Sequence, residues 1–263
     1  MMAIILLLGV FLLAITAYFR KKLTRSGALA ACFVGGFIAI GLELYGLLLL
    51  GMFFISSTIL GALKTDNEES DIIEKGGKRD AVQVLANGGV ASLLALMYLI
   101  YPSSILICGF VASLAAANSD TWASEIGPYS KYRPFHIIKR TRVAVGTSGA
   151  ITALGSAAAF AGSFLIVVFS IFFWWGDHYN SHMLLIFLTL AGFIGNVFDT
   201  VLGAMWQVVY RCPSCAIETE RKVHCGGKTI RVKGSDWIDN DIVNVGCTIF
   251  AALLGILIGW LFV

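Results

Sequence analysis

Residues 44–63 read LYGLLLLGMFFISSTILGAL, a run of Leu, Gly, Phe, Ile and Met with no charged side chain, bounded by Glu43 and Lys64. About 20 such residues rise ~30 Å as a helix, the thickness of a bilayer's hydrocarbon core. The stretch reads as a transmembrane helix, and similar runs lie on both sides of it. Eight apolar segments divide the chain: 2–19, 27–41, 44–63, 81–100, 104–119, 148–175, 183–209 and 241–263. The segment 27–41 is the shortest, since about 15 residues reach only ~23 Å, which suits a tilted or half-depth helix. Composition agrees: 58% of the 263 residues are hydrophobic and 13% charged, against roughly 25% charged in a soluble domain. So much apolar surface does not fit inside one soluble core. The expected fold is all-α, a polytopic membrane protein of about eight transmembrane helices forming a single domain over 1–263. A soluble enzyme is excluded.

Lysine and arginine test that division. All 19 fall in four alternate connections, after the first span, at 64–80, at 118–142 and at 208–240. The other connections, near 41–43, 101–103 and 176–182, hold none. This alternation is what the positive-inside rule demands, and it puts four connections in the cytoplasm and both termini outside. Met1–Phe19 has no positive start, and Arg20, Lys21, Lys22 and Arg25 follow it, so it reads as a retained span, not a secretory signal. The net charge of +3 follows topology and implies no nucleic-acid partner. The expected location is integral to a membrane, with the basic connections in the cytoplasm.

Short echoes suggest a parallel four-plus-four repeat. Ser26-Gly27-Ala28 matches Ser148-Gly149-Ala150, and Ser57-Thr58-Ile59-Leu60-Gly61-Ala62 matches Asp199-Thr200-Val201-Leu202-Gly203-Ala204. Chance recurrence of small residues in glycine-rich helices is the alternative. A true repeat would place a site between the halves, with Asp199 standing where the other half has Ser57.

The polar side chains gather on the expected cytoplasmic side. Asp80, Gln83 and Asn87 share one helical face, as do Asn118, Thr121 and Glu125, with Asp120 beside them. Asn196, Asp199, Gly203 and Gln207 line a stripe of the seventh span, and Asp239, Asn240, Asp241 and Asn244 open the eighth. Asp199 is about ten residues in from Tyr210, or ~15 Å. A carboxylate at such depth costs on the order of 2.5–3.5 kcal/mol and needs a partner or a task. Interhelical hydrogen bonding is the competing reading for each amide and hydroxyl. Val145-Gly146-Thr147-Ser148-Gly149 is expected to open the sixth span, offering N–H groups to a phosphate. Acids for Mg²⁺ and cations with N–H groups for phosphates make a constellation for phosphoryl chemistry. In this reading Asp120 and Asp199 hold Mg²⁺ with Asn118, Asn196 and Asn244. Lys78, Arg79, Asn87 and Gly146, Thr147, Ser148 and Gly149 bind phosphates. A site at the end of membrane helices suits an amphiphilic substrate with its tail among the spans.

Cys32, Cys108 and Cys247 fall in spans and read as packing residues. Cys212-Pro213-Ser214-Cys215 followed by His224-Cys225 differs: a C-x₂-C knuckle with a later Cys and His in a charged loop fits Zn²⁺. Cytoplasmic placement disfavours a disulfide. Residues 210–236 are thus expected to form a small cytoplasmic insert clipped by structural zinc.

Asn118-Ser119-Asp120-Thr121-Trp122-Ala123-Ser124-Glu125-Ile126-Gly127 closely resembles the signature of an integral-membrane family that includes transmembrane protein 19 and the plant phytyl-phosphate kinases. Gly76-Gly77-Lys78-Arg79-Asp80, Val145-Gly146-Thr147-Ser148-Gly149, Gly195-Asn196-Val197-Phe198-Asp199 and Asp239-Asn240-Asp241 support it in order, from about residue 20 to the C-terminus. The cysteine loop looks like the prokaryotic branch, which implies a prokaryotic cell membrane with the active site on its cytoplasmic side. The resemblance implies phosphorylation of an isoprenyl monophosphate to the diphosphate with a nucleoside triphosphate, CTP foremost. A lipid-phosphate cytidylyltransferase would use the same parts. A small-molecule transporter is the alternative from another class, and the one-sided placement of polar residues argues against it.

Overall fold

The computed structural model describes residues 1–63 and 77–263, so Lys64, Lys75 and Gly76 lie outside the described residues. Among the described residues, eight α-helices follow the apolar runs: α1 (Met2–Phe19), α2 (Arg25–Gly41), α3 (Glu43–Leu63), α4 (Ala81–Ile100), α5 (Ser104–Ile126), α6 (Ala153–Ser170), α7 (Ser181–Met205) and α8 (Asn240–Phe262). Seven of them are long and apolar enough to cross a membrane. The exception, α2, has 17 residues, or ~26 Å of helix.

Helix α5 occupies the middle of the bundle and packs against α3, α4, α6, α7 and α8. Its residues Ile107–Ser119 are all buried. Small side chains make this possible, because without water the helices gain by close van der Waals approach. Gly192 of α7 lies on Ala115, where an added Cβ would meet the alanine Cβ at 2.7 Å.

The helix starts are written locally. Thr24, Ser103, Thr152 and Asp239 each accept a hydrogen bond from a backbone N–H of the following first turn. Asp80 and Gln83, expected on a polar site face, form a reciprocal capping box at the start of α4.

Two sequence boundaries are corrected. The fifth span does not end at residue 119; α5 continues to Ile126, because Asn118–Glu125 find polar neighbours and need not leave the helix. Gly146–Gly149 do not open a helix either. Gly146 (φ +84°) and Gly149 (φ +81°) are left-handed, which breaks helical propagation. The segment makes turns just before β2 (Ala150–Ile151), which pairs antiparallel with β1 (Phe135–His136), and α6 starts after Thr152.

The connection from α7 to α8 carries the remaining strands: β3 (Val209–Arg211), β4 (Glu218–Thr219), β5 (Val223–His224), β6 (Gly227–Lys228) and β7 (Ile230–Lys233). They form one sheet in the order β4-β3-β7 and a separate β5-β6 hairpin.

The basic connections meet at one end of the bundle. Arg79 donates its N–H to the Lys22 carbonyl and accepts from Thr24 N–H, both at 3.0 Å. Lys139 reaches Glu218 at 3.4 Å. At the other end Tyr45 stacks on Phe173, ring centroids 5.0 Å apart, and Asn180 donates to the Phe262 carbonyl. The two halves are packed differently: α4 lies on α2, α5 and α8, whereas α8 lies on α5, α7 and α4. The echoed residues Ser57 and Asp199 nevertheless face one common cavity.

Candidate functional site

That cavity, about 630 Å³, opens among the basic connections. Its inner wall is made by α3, α5 and α7, through Ser57, Thr58, Asp120, Glu125, Asn196 and Asp199. Asn196 Nδ2 donates to Asp120 Oδ1 at 3.1 Å, tying α7 to α5. Asp199 is one turn further along α7. Its Oδ1 is buried and has no hydrogen-bond partner. In an ordinary packing role such an atom would carry the full desolvation penalty. The two acids and the amide therefore form a group with unspent coordinating capacity, as a hard divalent cation requires.

The family-like segment 118–127 divides by face. Asp120, Ser124 and Glu125 line the cavity. Asn118 does not; its amide donates to the Gly162 carbonyl at 2.8 Å and its carbonyl oxygen accepts from Ser56 Oγ at 3.2 Å. Trp122 Nε1 donates to the same Ser56 hydroxyl at 3.1 Å. Asn118 and Trp122 thus clip α3, α5 and α6 together, and Asn118, expected in a magnesium shell, stands outside the cavity lining. Asn87 also stays off the cavity and donates to Gln83 O one turn back. Asn244 is buried on α8 with Oδ1 unpartnered, outside the cavity lining.

The rim carries the cations. Lys78 and Arg79 line it as expected, and Lys22 and Arg221 join them. The Arg79 guanidinium sits 5.9 Å and 5.8 Å from the Phe53 and Phe54 ring centres, an arrangement that holds a cation by the ring quadrupoles. Gly146, Thr147, Ser148 and Gly149 cross the mouth as turns. Gly149 is pressed onto Ala204 of α7, where no side chain would fit. Ser148 Oγ donates to Gln207 Oε1 at 2.6 Å, and Gln207 Nε2 donates to Glu220 Oε1 at 2.6 Å. This chain joins the glycine turn, the end of α7 and the insert. Sequence reading noted Gln207 on the polar stripe of the seventh span but had no signal for Lys22, Glu220 or Arg221, which arrive by long-range folding.

The insert gathers the anticipated ligands. The side-chain ligand atoms of Cys212, Cys215, His224 and Cys225 all lie within 4.8 Å of one another. Cys32, Cys108 and Cys247 lie in α2, α5 and α8.

Fold and site together define a class: a helical membrane protein with an acid-floored, cation-rimmed cavity at one end of its bundle. Within that class, the chain belongs to the family described as integral membrane protein DUF92, which matches residues 8–252. It is similar to Protein PGR of Arabidopsis thaliana, 31% identical over 261 residues covering 89% of this chain and 88% of the relative. An uncharacterized membrane protein of Methanocaldococcus jannaschii is 29% identical over 205 residues, covering 77% of this chain and 83% of that protein. Chloroplastic Protein VTE6 of Arabidopsis thaliana is 26% identical over 235 residues, covering 85% of this chain and 61% of the relative. No solved structure matches the chain.

Proposed function

We propose that this protein is a membrane phosphotransferase that moves the terminal phosphoryl group of a nucleoside triphosphate, CTP foremost, onto an isoprenyl monophosphate to give the diphosphate. The observation that carries the reading is the cavity itself, in which the buried, unpartnered Asp199 oxygen and Asp120 face a rim of Lys22, Lys78 and Arg79. The resemblance of residues 118–127 to the plant phytyl-phosphate kinases supports the substrate class.

In the reaction an oxygen of the acceptor monophosphate bonds to the γ-phosphorus, the bond from that phosphorus to the β–γ bridging oxygen breaks, and the nucleoside diphosphate leaves. A phosphate acceptor is already anionic near neutral pH, so no strong general base is needed. The demands are alignment and charge neutralisation. Lys22, Lys78 and Arg79 offset phosphate charge at the rim. Phe53 and Phe54 limit the rotation of the Arg79 guanidinium, so the charge is already in place before substrate arrives. The turn at Gly146–Gly149 lets a triphosphate approach the backbone closely. Asp120 and Asp199 would hold Mg²⁺ beside Asn196, and such an ion would neutralise charge on the transferring phosphoryl group. Phe54 and Ile151 give the cavity apolar wall against which the first carbons of an isoprenoid can lie. By the positive-inside rule the basic end faces the cytoplasm, where nucleotides are found.

The test is purified protein with labelled CTP or ATP and a series of isoprenyl monophosphates, with products separated. Isoprenyl diphosphate supports the proposal. A cytidylate accompanied by pyrophosphate identifies a cytidylyltransferase instead, and absence of any nucleotide-dependent product rejects both.

A further inference from the structure

We propose that Cys212, Cys215, His224 and Cys225 bind one zinc ion, and that this ion holds Glu220 and Arg221 in the cavity wall. The spacing of the ligand atoms carries the first part. Cys215 Sγ and Cys225 Sγ are 3.8 Å apart, and His224 Nδ1 lies 3.5 Å from the first and 3.2 Å from the second. A tetrahedral ion with bonds of about 2.3 Å to sulfur and about 2.0 Å to nitrogen has edges of about 3.8 Å between sulfurs and about 3.5 Å from sulfur to nitrogen. The three distances among Cys215, Cys225 and His224 lie within about 0.3 Å of those edges, and Cys212 Sγ completes the set, all four ligand atoms lying within 4.8 Å of one another. A disulfide would bring two sulfurs to about 2.05 Å, and all six cysteines are free. Three thiolates and an imidazole select zinc over the hard cations that carboxylates prefer.

The position of the ligands in the chain carries the second part. Cys212 and Cys215 lie in the β3–β4 turn, whereas His224 and Cys225 lie at the β5–β6 turn. These turns belong to two separate sheets. Glu220 and Arg221 form the linker between the sheets and line the cavity. An ion across the two turns therefore fixes both ends of that linker. Arg221 N–H donates to Thr219 Oγ1 and Thr229 Oγ1 donates to the Arg221 carbonyl, but the apolar core beneath is small, with Tyr210 buried and Val223, Ile230 and Trp237 exposed; small elements of this kind gain from a staple. Glu220 is further latched to Gln207 and hence to Ser148 of the glycine turn. On the functional reading given above, the zinc-held insert adds Arg221 to the cations that meet the triphosphate. The metal site itself does not depend on that reading.

The experiment uses the full chain, purified under reducing conditions, and needs no activity. Metal analysis should find about one zinc per chain. Cobalt exchanged for it should show the intense visible bands of tetrahedral Co²⁺ together with thiolate charge transfer in the near ultraviolet. Cys215→Ser should lower zinc content, and the cobalt spectrum of the unaltered protein stands on its own if that variant folds poorly. Protein without zinc that takes up no cobalt, protein that carries iron alone, or cobalt with only weak octahedral bands overturns the site. Trypsin then tests the positioning: cleavage after Arg221 and Lys222 should be slow in zinc-loaded protein and at least tenfold faster after chelation. Equal cleavage in the two states overturns the claim that the ion holds this linker.

Discussion

Asn196 and Asp120 are joined across two central helices by a 3.1 Å hydrogen bond, amide nitrogen to carboxylate oxygen. The bond sets the level at which α5 and α7 meet, and one turn along α7 it leaves Asp199 at the cavity with an oxygen that bonds to nothing. Two acids brought within about one helical turn of each other inside a membrane bundle are costly unless they perform a task.

Substitution separates that task from packing. Asp120→Asn and Asp199→Asn keep shape and remove charge, so each should reduce phosphoryl transfer by about 10²–10³ or more while thermal stability changes little. If both act through one cation, the double variant is hardly slower than either single one. Stability-tracked, additive losses in steady-state assays of the three variants would mark the acids as packing residues.

Asn118 should behave in the opposite way, although it lies two residues from Asp120. Asn118→Ala strips a partner from the Gly162 carbonyl and from Ser56, an expected loss of about 1–3 kcal/mol. Thermal unfolding in detergent should show the loss, and the protein that remains folded should keep much of its turnover.

The chain Ser148–Gln207–Glu220 predicts a binding defect. Gln207 is buried and bridges Ser148 of the glycine turn and Glu220 of the insert. Gln207→Leu cuts this tie between the glycine turn and the insert and should raise KM for the nucleotide roughly tenfold, equivalent to about 1.4 kcal/mol, with a smaller change in kcat. An unchanged KM would show that the turn holds its position without the insert.

Topology is checked by side-specific labelling of single introduced cysteines, read by peptide mapping. Tyr132→Cys, in a basic connection, and Tyr179→Cys, at the opposite end, replace residues that are 74% and 81% exposed. The first should react from the cytoplasmic side only and the second from the outer side only. Labelling of both from one side would contradict the orientation.

The helices were legible because lipid imposes length and apolarity on each span and excludes Lys and Arg from it. The same logic misplaced the end of α5, since polar residues such as Asn118 and Glu125 remain helical when neighbouring helices or a cavity receive them. Asp120 and Asp199 stood out as charges where charge is expensive. The difference between Asn118 and Asp120 was not legible: about 100° of helical rotation per residue turns one towards α6 and the other towards the cavity, and only the packed neighbours reveal which. Gly146–Gly149 read as a helix start that suits a phosphate but form turns, because spacing does not report a positive φ. Glu220 and Arg221 gave no signal, as their place depends on an insert folding back over the bundle.

The most direct measurement follows the label on the nucleotide. Purified protein is given an isoprenyl monophosphate with CTP labelled either at the γ- or at the α-phosphorus, and the lipid product is isolated. The account predicts label in the lipid from γ-labelled CTP only, lost in Asp199→Asn. Label entering the lipid from the α-position, or γ-label transfer undiminished in that variant, would contradict it.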